Sequence, residues 1–254
     1  LARWPDLPEC WFNLAVLQRR ARRYESALAS YRQALDRGVS QPEEAHLNRG
    51  VIYSDCLRLD AEAETELRAA LTLNPAYVPA LLNLGNLCED LGRRDEAGDL
   101  YERALAVDPA CHAALARLAG LRTATTPDPA IVTRLREALS RPGLAAADQA
   151  LLGFALGSAL DKAGQYEAAF AAFEAANRHS RASAGPAGVH YDRSRQERLV
   201  DALIATFNRR SSGPTPGAVS PHPVFVCGMF RSGSTLVEQL LTGHPRVTAG
   251  GELD

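Results

Sequence analysis

Residues 78–111, VPALLNLGNLCEDLGRRDEAGDLYERALAVDPAC, hold the pattern that decides the fold. Apolar side chains recur at helical spacing in both halves of this stretch. Gly85 in the first half and Ala97 in the second are small, which lets two helices approach closely. Large side chains such as Tyr101 then fill the space between the helices. The stretch therefore predicts a pair of packed helices.

The same offsets recur earlier in the chain, in residues 8–42 and 43–77. The second of these copies carries one extra residue, which we place near residues 61–63, in the turn or the early second helix. Three copies of about 34 residues resemble the tetratricopeptide (TPR) repeat, and the resemblance covers residues 8–122. Such repeats stack into a solenoid whose concave face is free to bind a partner. Matching positions are Trp11, Leu14, Ala15, Ala27, Tyr31 and Ala34 in the first copy, and Gly50, Tyr53, Leu67, Ala70 and Pro75 in the second.

The pattern degrades after His112 and is broken by residues 123–129, TATTPDP. We predict a short helix over 131–139, a further TPR-like pair over 151–176 and a helix over 191–209. Residues 211–223 contain four prolines and two glycines, which indicates a linker.

These features predict a mostly α fold: a right-handed solenoid of TPR helix pairs, with no strand before Pro221, followed by the first strand, loop and helix of a truncated α/β domain. The expected domains are 1–122 (three repeats and the start of a fourth), 123–210 (irregular helical and TPR-like), 211–223 (linker) and 224–254 (the α/β piece).

A second informative stretch is PVFVCGMFRSGSTL, residues 223–236. Residues 224–227 are apolar and typical of a buried strand, and residues 228–234 form a glycine- and hydroxyl-rich turn before a predicted helix. A helix start after such a turn favours phosphate. Ser234 stands where a Walker A loop has lysine, and the basic residue is Arg231 instead, which argues against a nucleotide hydrolase.

This stretch and its continuation to Gly251-Glu252 resemble the 5′-phosphosulfate loop of sulfotransferases, most closely the tyrosylprotein type. The donor of that family is 3′-phosphoadenosine 5′-phosphosulfate (PAPS). The likeness includes His244-Pro245, and it departs from the family at Phe230, where proline is usual, and at Ser234, where threonine is usual. It implies a PAPS-dependent sulfotransferase whose TPR arm binds the acceptor protein.

Arg231 is the cation inside the loop, so we expect it to contact the donor and to stabilise charge on the leaving phosphate. Glu252 matches the glutamate that the resemblance implies is the family's general base; a solvated loop acid is the alternative. No metal constellation is visible. The remaining residues that we expect to hold the 5′-phosphate are Ser232, Gly233, Ser234 and Thr235.

Asn13, Asn48 and Asn83 recur every 35 residues at the sixth place of the first helix in each repeat. Stacking is expected to set them in a row along the groove, where an amide can bind a peptide backbone. The row resembles the asparagine ladder of protein O-GlcNAc transferases. The alternative is that asparagine is simply common at this repeat position.

Composition excludes several function classes. The formal net charge is −2 over 254 residues, which gives no sign of bulk nucleic-acid or membrane-surface binding. No apolar run is long enough to span a membrane. Five unclustered cysteines favour a reducing compartment, so we expect a cytoplasmic protein. They are Cys10, Cys56, Cys88, Cys111 and Cys227.

Two hypotheses of different class remain open from the sequence. The first is a sulfotransferase that acts on a hydroxyl, with protein tyrosine as the leading acceptor. The second is a non-catalytic TPR scaffold for protein–protein interaction. Both ends of the chain look cut, and this stretch alone is expected to be inactive.

Overall fold

The computed structural model describes residues 6–123, 128–184, 192–207, 234–244 and 247. The chain divides into two compact units, Leu1–His190 and Tyr191–Asp254. In the described part of the first unit all regular structure is helical, as predicted for a mostly α solenoid. Its α-helices are α1 Pro8–Arg20, α2 Tyr24–Asp36, α3 Pro42–Val51, α4 Asp60–Leu73, α5 Val78–Asp90, α6 Arg94–Val107, α7 His112–Arg122, α8 Pro129–Leu139, α9 Ala146–Lys162 and α10 Tyr166–Ser183.

Consecutive helices pack as pairs: α1 with α2, α3 with α4, α5 with α6, and α9 with α10. Each second helix also contacts the first helix of the following repeat, which makes the core continuous. A solenoid gains its stability in this way, because a single pair cannot bury its own apolar face.

A close contact between a glycine and a large side chain sets the distance within three of these four pairs. Gly85 on α5 lies against the fully buried Tyr101 on α6, and a Cβ added at Gly85 would meet the ring at 2.5 Å. Gly157 on α9 stands in the same relation to Phe173 on α10, at 2.6 Å. The spacing of 16 residues is the same in both pairs, so α9 and α10 form the TPR-like pair that the sequence predicts.

The turn inside each of these four pairs contains one residue in the left-handed region. Gly92 (φ 77°) occupies it between α5 and α6, and Gly164 (φ 73°) between α9 and α10. Arg22 (φ 57°) occupies the equivalent position between α1 and α2, and Arg58 (φ 57°) occupies it between α3 and α4. A side chain at positive φ costs roughly 1 kcal/mol or more, so the first two turns are less favourable than the two that contain glycine.

The extra residue of the second repeat lies in a π-helix, Ile52–Leu57, which directly follows α3. The prediction that it lies near residues 61–63 is wrong, because α4 is a regular α-helix from Asp60 and Ala63 is fully buried within it. A π-helix closes its hydrogen bonds one residue further along the chain, so it absorbs one inserted residue without shifting the next helix.

Residues 124–127, at the start of the irregular region predicted around 123–143, lie outside the described residues. The two helices on either side of the break, α7 and α8, have only 11 residues each, and α7 packs against α9 as well as α8. Asp128 caps α8, since its side chain accepts hydrogen bonds from the backbone N–H groups of Ala130 and Ile131 at 2.9 and 3.3 Å.

The second unit contributes two described helices, α11 Arg193–Phe207 and α12 Ser234–Thr242. The predicted strand over 224–227 and the predicted linker over 211–223 lie outside the described residues. None of the described helices is long and apolar enough to cross a membrane.

Replacing Gly85 with alanine is expected to destabilise the first unit by about 1–3 kcal/mol, because the new methyl group would overlap the ring of buried Tyr101. The matched control is Gly98→Ala on α6, where an added Cβ meets nothing within 4 Å. Helix propensity alone should make that control more stable by about 0.5–1 kcal/mol. Urea unfolding followed by circular dichroism measures both changes. Equal effects of the two substitutions would contradict the packing role of Gly85.

Candidate functional site

The first helices of the repeats place three asparagines at one repeat position: Asn13 on α1, Asn48 on α3 and Asn83 on α5. Asn13 is exposed, whereas Asn48 and Asn83 are half-buried. The next first helix, α7, carries Arg117 at the corresponding position, 34 residues after Asn83. Sequence reasoning missed this arginine, although counting one more repeat would have found it.

Two of the asparagines are oriented by their own helices. Nδ2 of Asn48 donates to the carbonyl of Glu44 at 2.9 Å, and Nδ2 of Asn83 donates to the carbonyl of Pro79 at 2.8 Å. An amide has two N–H donors and one carbonyl acceptor. After this bond each amide retains an acceptor oxygen and one N–H, which are the two groups that an extended peptide backbone requires.

Asn13 lines a pocket of about 170 Å³ between α1 and α3. We call it the repeat-one pocket. An aromatic ring, an aliphatic side chain, polar groups and two carboxylates contribute to its wall. The lining residues are Glu9, Phe12, Asn13, Val39, Ser40, Gln41 and Glu44.

Tyr101 connects the first and second helices of the third repeat. Its hydroxyl lies 2.8 Å from Oδ1 of Asn86 and 2.9 Å from Oε2 of Glu89, both on α5. Burial, followed by the hydrogen bond with Glu89, raises the pKa of Tyr101 above its ordinary value. The neutral phenol is therefore the form that holds this contact.

Tyr31 is the equivalent residue of the first repeat, and its hydroxyl has a different environment. Val16 and Arg19 stand where the third repeat has Asn86 and Glu89, and neither can accept a hydrogen bond. Tyr31 is fully buried, and its hydroxyl has no hydrogen-bond partner in the described part of the chain. Burial raises its pKa to about 12.

An ionic network connects the second and third repeats. Both guanidinium nitrogens of Arg93 contact the carboxylate of Glu64, at 2.9 and 2.7 Å, and Arg68 lies between Glu64 and Glu96 at 2.7 and 2.6 Å. The hydrogen bonds from Arg93, and then those from Arg68, lower the pKa of Glu64 to about 2. Both carboxylates thus stay ionised, and the network fixes the angle between two repeats.

Further polar contacts join neighbouring helices. Glu66 on α4 forms an ion pair with Arg49 on α3 and a hydrogen bond with Nδ1 of His46 on α3, each at 2.7 Å. Glu102 on α6 contacts Arg134 on α8 through both oxygens, at 2.9 and 3.1 Å. Sequence reasoning missed these pairs, because their partners lie 17 to 32 residues apart and share no local pattern.

The residues predicted for donor binding and catalysis lie mostly outside the described part. Arg231, Ser232, Gly233 and Glu252 are not described, and for Ser234 and Thr235 only the backbone is. The backbone of α12 begins at Ser234, where the sequence predicts the helix that follows the loop. The apolar residues of this helix are exposed: Leu236, Val237, Leu240 and Leu241. Among the described residues no group of three or more His, Cys, Asp or Glu could hold a metal ion.

Family models match three parts of the chain. Tetratricopeptide-repeat models match residues 1–54 and 80–113, and the sulfotransferase family model matches residues 223–254. The helical region is a tetratricopeptide-repeat solenoid. It precedes a sulfotransferase-like segment of 32 matched positions, counted from 223 to 254.

Solved TPR proteins share the fold of this solenoid. A MamA crystal structure superposes with a TM-score of 0.56 at 18% identity, covering 73% of this chain and 98% of MamA. MamA from Desulfovibrio magneticus RS-1 gives 0.56 at 16% identity over 69% of this chain and 96% of that one. YrrB, described as a TPR protein with an unusual peptide-binding site, gives 0.52 at 18% identity over 66% and 84%. At these identities the likeness shows the fold alone.

Curated relatives are longer than this chain. An uncharacterized protein of Aquifex aeolicus (strain VF5) is 29% identical over 196 residues, which is 76% of this chain and 24% of that protein. Human protein O-mannosyl-transferase TMTC2 is 31% identical over 106 residues, which is 41% of this chain and 13% of that protein. The chain therefore spans about a quarter of one relative and an eighth of the other.

Replacing Glu64 with glutamine is expected to lower the melting temperature at pH 7 by about 2–4 °C, the shift for about 1 kcal/mol after allowing for solvent screening. The pKa of Glu64 is depressed from 4.5 to about 2. Its contribution is therefore complete above about pH 5 and is lost as the pH falls towards 2. Melting curves at pH 7, 4 and 2.5 should show wild type and variant converging at low pH.

Glu62→Gln on the same helix is the control, because Glu62 forms no ion pair within the described residues. It should leave both the melting temperature and its pH dependence nearly unchanged. A constant difference between wild type and Glu64→Gln at every pH would contradict the ionic account.

Proposed function

We propose that the chain belongs to a PAPS-dependent sulfotransferase that moves a sulfuryl group to a hydroxyl, with protein tyrosine as the leading acceptor. The observation that carries this proposal is the match of residues 223–254 to the sulfotransferase family directly after a TPR solenoid. TPR grooves suit extended peptides, so an arm of this kind fits a protein acceptor better than a small molecule. On cysteine usage we place its action in the cytoplasm.

The start of α12 is the part of the donor site that the described residues support. Its first N–H groups have no partner within the helix, and the helix dipole favours an anion there. Ser232, Gly233, Ser234 and Thr235 are proposed to hold the 5′-phosphate of PAPS through backbone N–H groups and hydroxyls. The spacing of these residues is the reason for the assignment.

Arg231 and Glu252 are proposed to carry the chemistry. In the reaction the bond between sulfur and the bridging phosphate oxygen breaks, and a new bond forms between sulfur and the acceptor oxygen. The guanidinium of Arg231 would stabilise the charge that grows on the phosphate. Glu252 would accept the proton that the hydroxyl loses.

The groove along the first helices is proposed to hold the acceptor. Asn48 and Asn83 each retain an amide oxygen and one N–H after bonding to their own helices, and Asn13 lines the repeat-one pocket. A peptide in extended conformation presents alternating N–H and C=O groups that can pair with such a row. YrrB, which has this fold, is itself described as having a peptide-binding site.

Substituting alanine at Asn13, Asn48 and Asn83 together is expected to weaken binding of an acceptor peptide by about tenfold or more. Each lost neutral hydrogen bond removes about 0.5–1.5 kcal/mol. Fluorescence polarisation with a pool of tyrosine-containing peptides measures the change. Asn177→Ala is the control, because Asn177 makes the same bond to its own helix, to the carbonyl of Phe173 at 2.9 Å, but lies on α10. Unchanged peptide affinity in the triple variant would show that these asparagines do not bind the peptide and are simply common at this repeat position.

In the full-length protein, Arg231→Ala and Glu252→Ala are each expected to lower turnover by at least about a hundredfold. Arg231→Ala should also weaken PAPS binding, whereas Glu252→Ala should leave it nearly intact. Turnover is measured on a tyrosine peptide with labelled PAPS, and donor affinity by calorimetry. Wild-type turnover in Glu252→Ala would show that the base is another residue.

A non-catalytic scaffold is the second candidate, since TPR helices make up most of the described chain. A scaffold would bind peptides in the groove while showing no affinity for PAPS. Calorimetry on the full-length protein with PAPS therefore separates the two functions.

A further inference from the structure

We propose that the repeat-one pocket accepts a lysine or arginine side chain of the peptide that lies in the groove. This inference rests on the proposed peptide-binding function and specifies the partner: an extended segment with a basic residue in register with Asn13. The pocket is a cavity of about 170 Å³, the volume of about six water molecules in the liquid. It opens beside Asn13, the first member of the asparagine row.

The lining of the pocket fits the two parts of a long basic side chain. Phe12 and Val39 provide apolar surface for the aliphatic stem. Glu9 and Glu44 provide two carboxylates for the charged head, and the ring of Phe12 favours a cation over its face. Asn13 lies on the same wall and is available to the peptide backbone.

The two carboxylates of the pocket take no part in the ion pairs of the described residues. No lysine or arginine in the described part of the chain forms an ion pair with Glu9 or Glu44, whereas Glu64, Glu66 and Glu102 are all paired with arginine. Two like charges on one small pocket repel each other. A bound cation would relieve that repulsion. The pocket should therefore bind a basic side chain more tightly than an uncharged one.

Tyr31 supports the wall of the pocket from inside the fold. Its ring packs edge-on against Phe12 with centroids 5.4 Å apart, and it is fully buried. Tyr31 is not one of the lining residues, so it holds the ring of Phe12 and does not itself meet the ligand.

The position of Arg19 does not cancel this preference. Arg19 lies ten residues after Glu9 on α1, which is about 15 Å along the helix axis. Glu9 and Glu44 both lie in the first turns of their helices. Arg19 is therefore distant from Glu9 along α1, and within the described residues it forms no ion pair with Glu44.

The test uses four pools of acetylated, amidated 12-residue peptides with a fixed central Lys, Arg, Met or Glu and random residues elsewhere. Binding to the 254-residue chain is measured by fluorescence polarisation at 0.1 M salt. The Lys and Arg pools are expected to bind about fivefold more tightly than the Met pool, which corresponds to two partly exposed ion pairs. The preference should shrink at 0.5 M salt.

Glu9→Gln/Glu44→Gln is the pocket variant, and it should bring the Lys, Arg and Met pools within about twofold of each other while retaining binding. The matched control is Glu25→Gln/Glu62→Gln, which removes the same charge from the first turns of α2 and α4, away from the pocket. The control should keep the basic preference.

The outcomes separate this inference from the function on which it rests. Binding without a basic preference, or a preference that survives in the pocket variant, would overturn the pocket assignment and leave the groove in place. If no pool binds to the wild-type chain, the peptide-binding groove fails, and the pocket assignment fails with it. Loss of all binding in the triple asparagine variant, with the preference intact in wild type, supports both.

Discussion

The close approach of a glycine to a large side chain on the next helix is the contact on which three of the four helix pairs depend. At Gly85 and Gly157 the facing ring lies nearer than any Cβ could tolerate, and at Gly50 the same role falls to Leu67. The large side chain fills the space that the missing Cβ leaves, so packing stays dense while the axes come together. This distance within a pair fixes where the outer surfaces of both helices lie, and therefore the width of any groove.

Ion pairs fix the relation between repeats in a way that apolar packing does not. Arg93 reaches back to Glu64 across the boundary between the second and third repeats, and Arg134 reaches back to Glu102 from α8. Apolar contacts are non-directional, whereas a guanidinium and a carboxylate that meet through two atoms each have one favoured geometry. The repeat spacing fails near α7 and α8, so it does not specify where α8 lies. The contact between Arg134 and Glu102 is directional and holds α8 against α6.

Repeat spacing made the pairs predictable, because a position in one copy constrains the same position in the next. Val78–Asp90 and Arg94–Val107 follow directly from it. The helix α12 was predictable for a different reason, the apolar pattern that follows the glycine-rich stretch. The site of the insertion in the second repeat was not predictable. Counting from Gly50 to Ala63 reveals one extra residue but not whether the turn or the helix absorbs it. The π-helix at Ile52–Leu57 takes up the extra residue, so that Ala63 and Leu67 keep their positions in the core. Packing between the helices selects this arrangement.

In a solenoid, residues that are the same in every repeat build the helix pairs. Function therefore arises at repeat positions where the residues differ from one repeat to the next. Tyr31 and Tyr101 have the same burial and the same place in the repeat. Tyr101 is satisfied by Asn86 and Glu89, whereas Tyr31 faces Val16 and Arg19 and has no such partner among the described residues. A buried hydroxyl without a partner costs about 1–3 kcal/mol of folding free energy. A sequence selected for stability alone could have kept hydrogen-bonding residues equivalent to Asn86 and Glu89. The first repeat therefore differs in its polar chemistry while keeping the frame, and this difference lies next to the pocket that Asn13 lines.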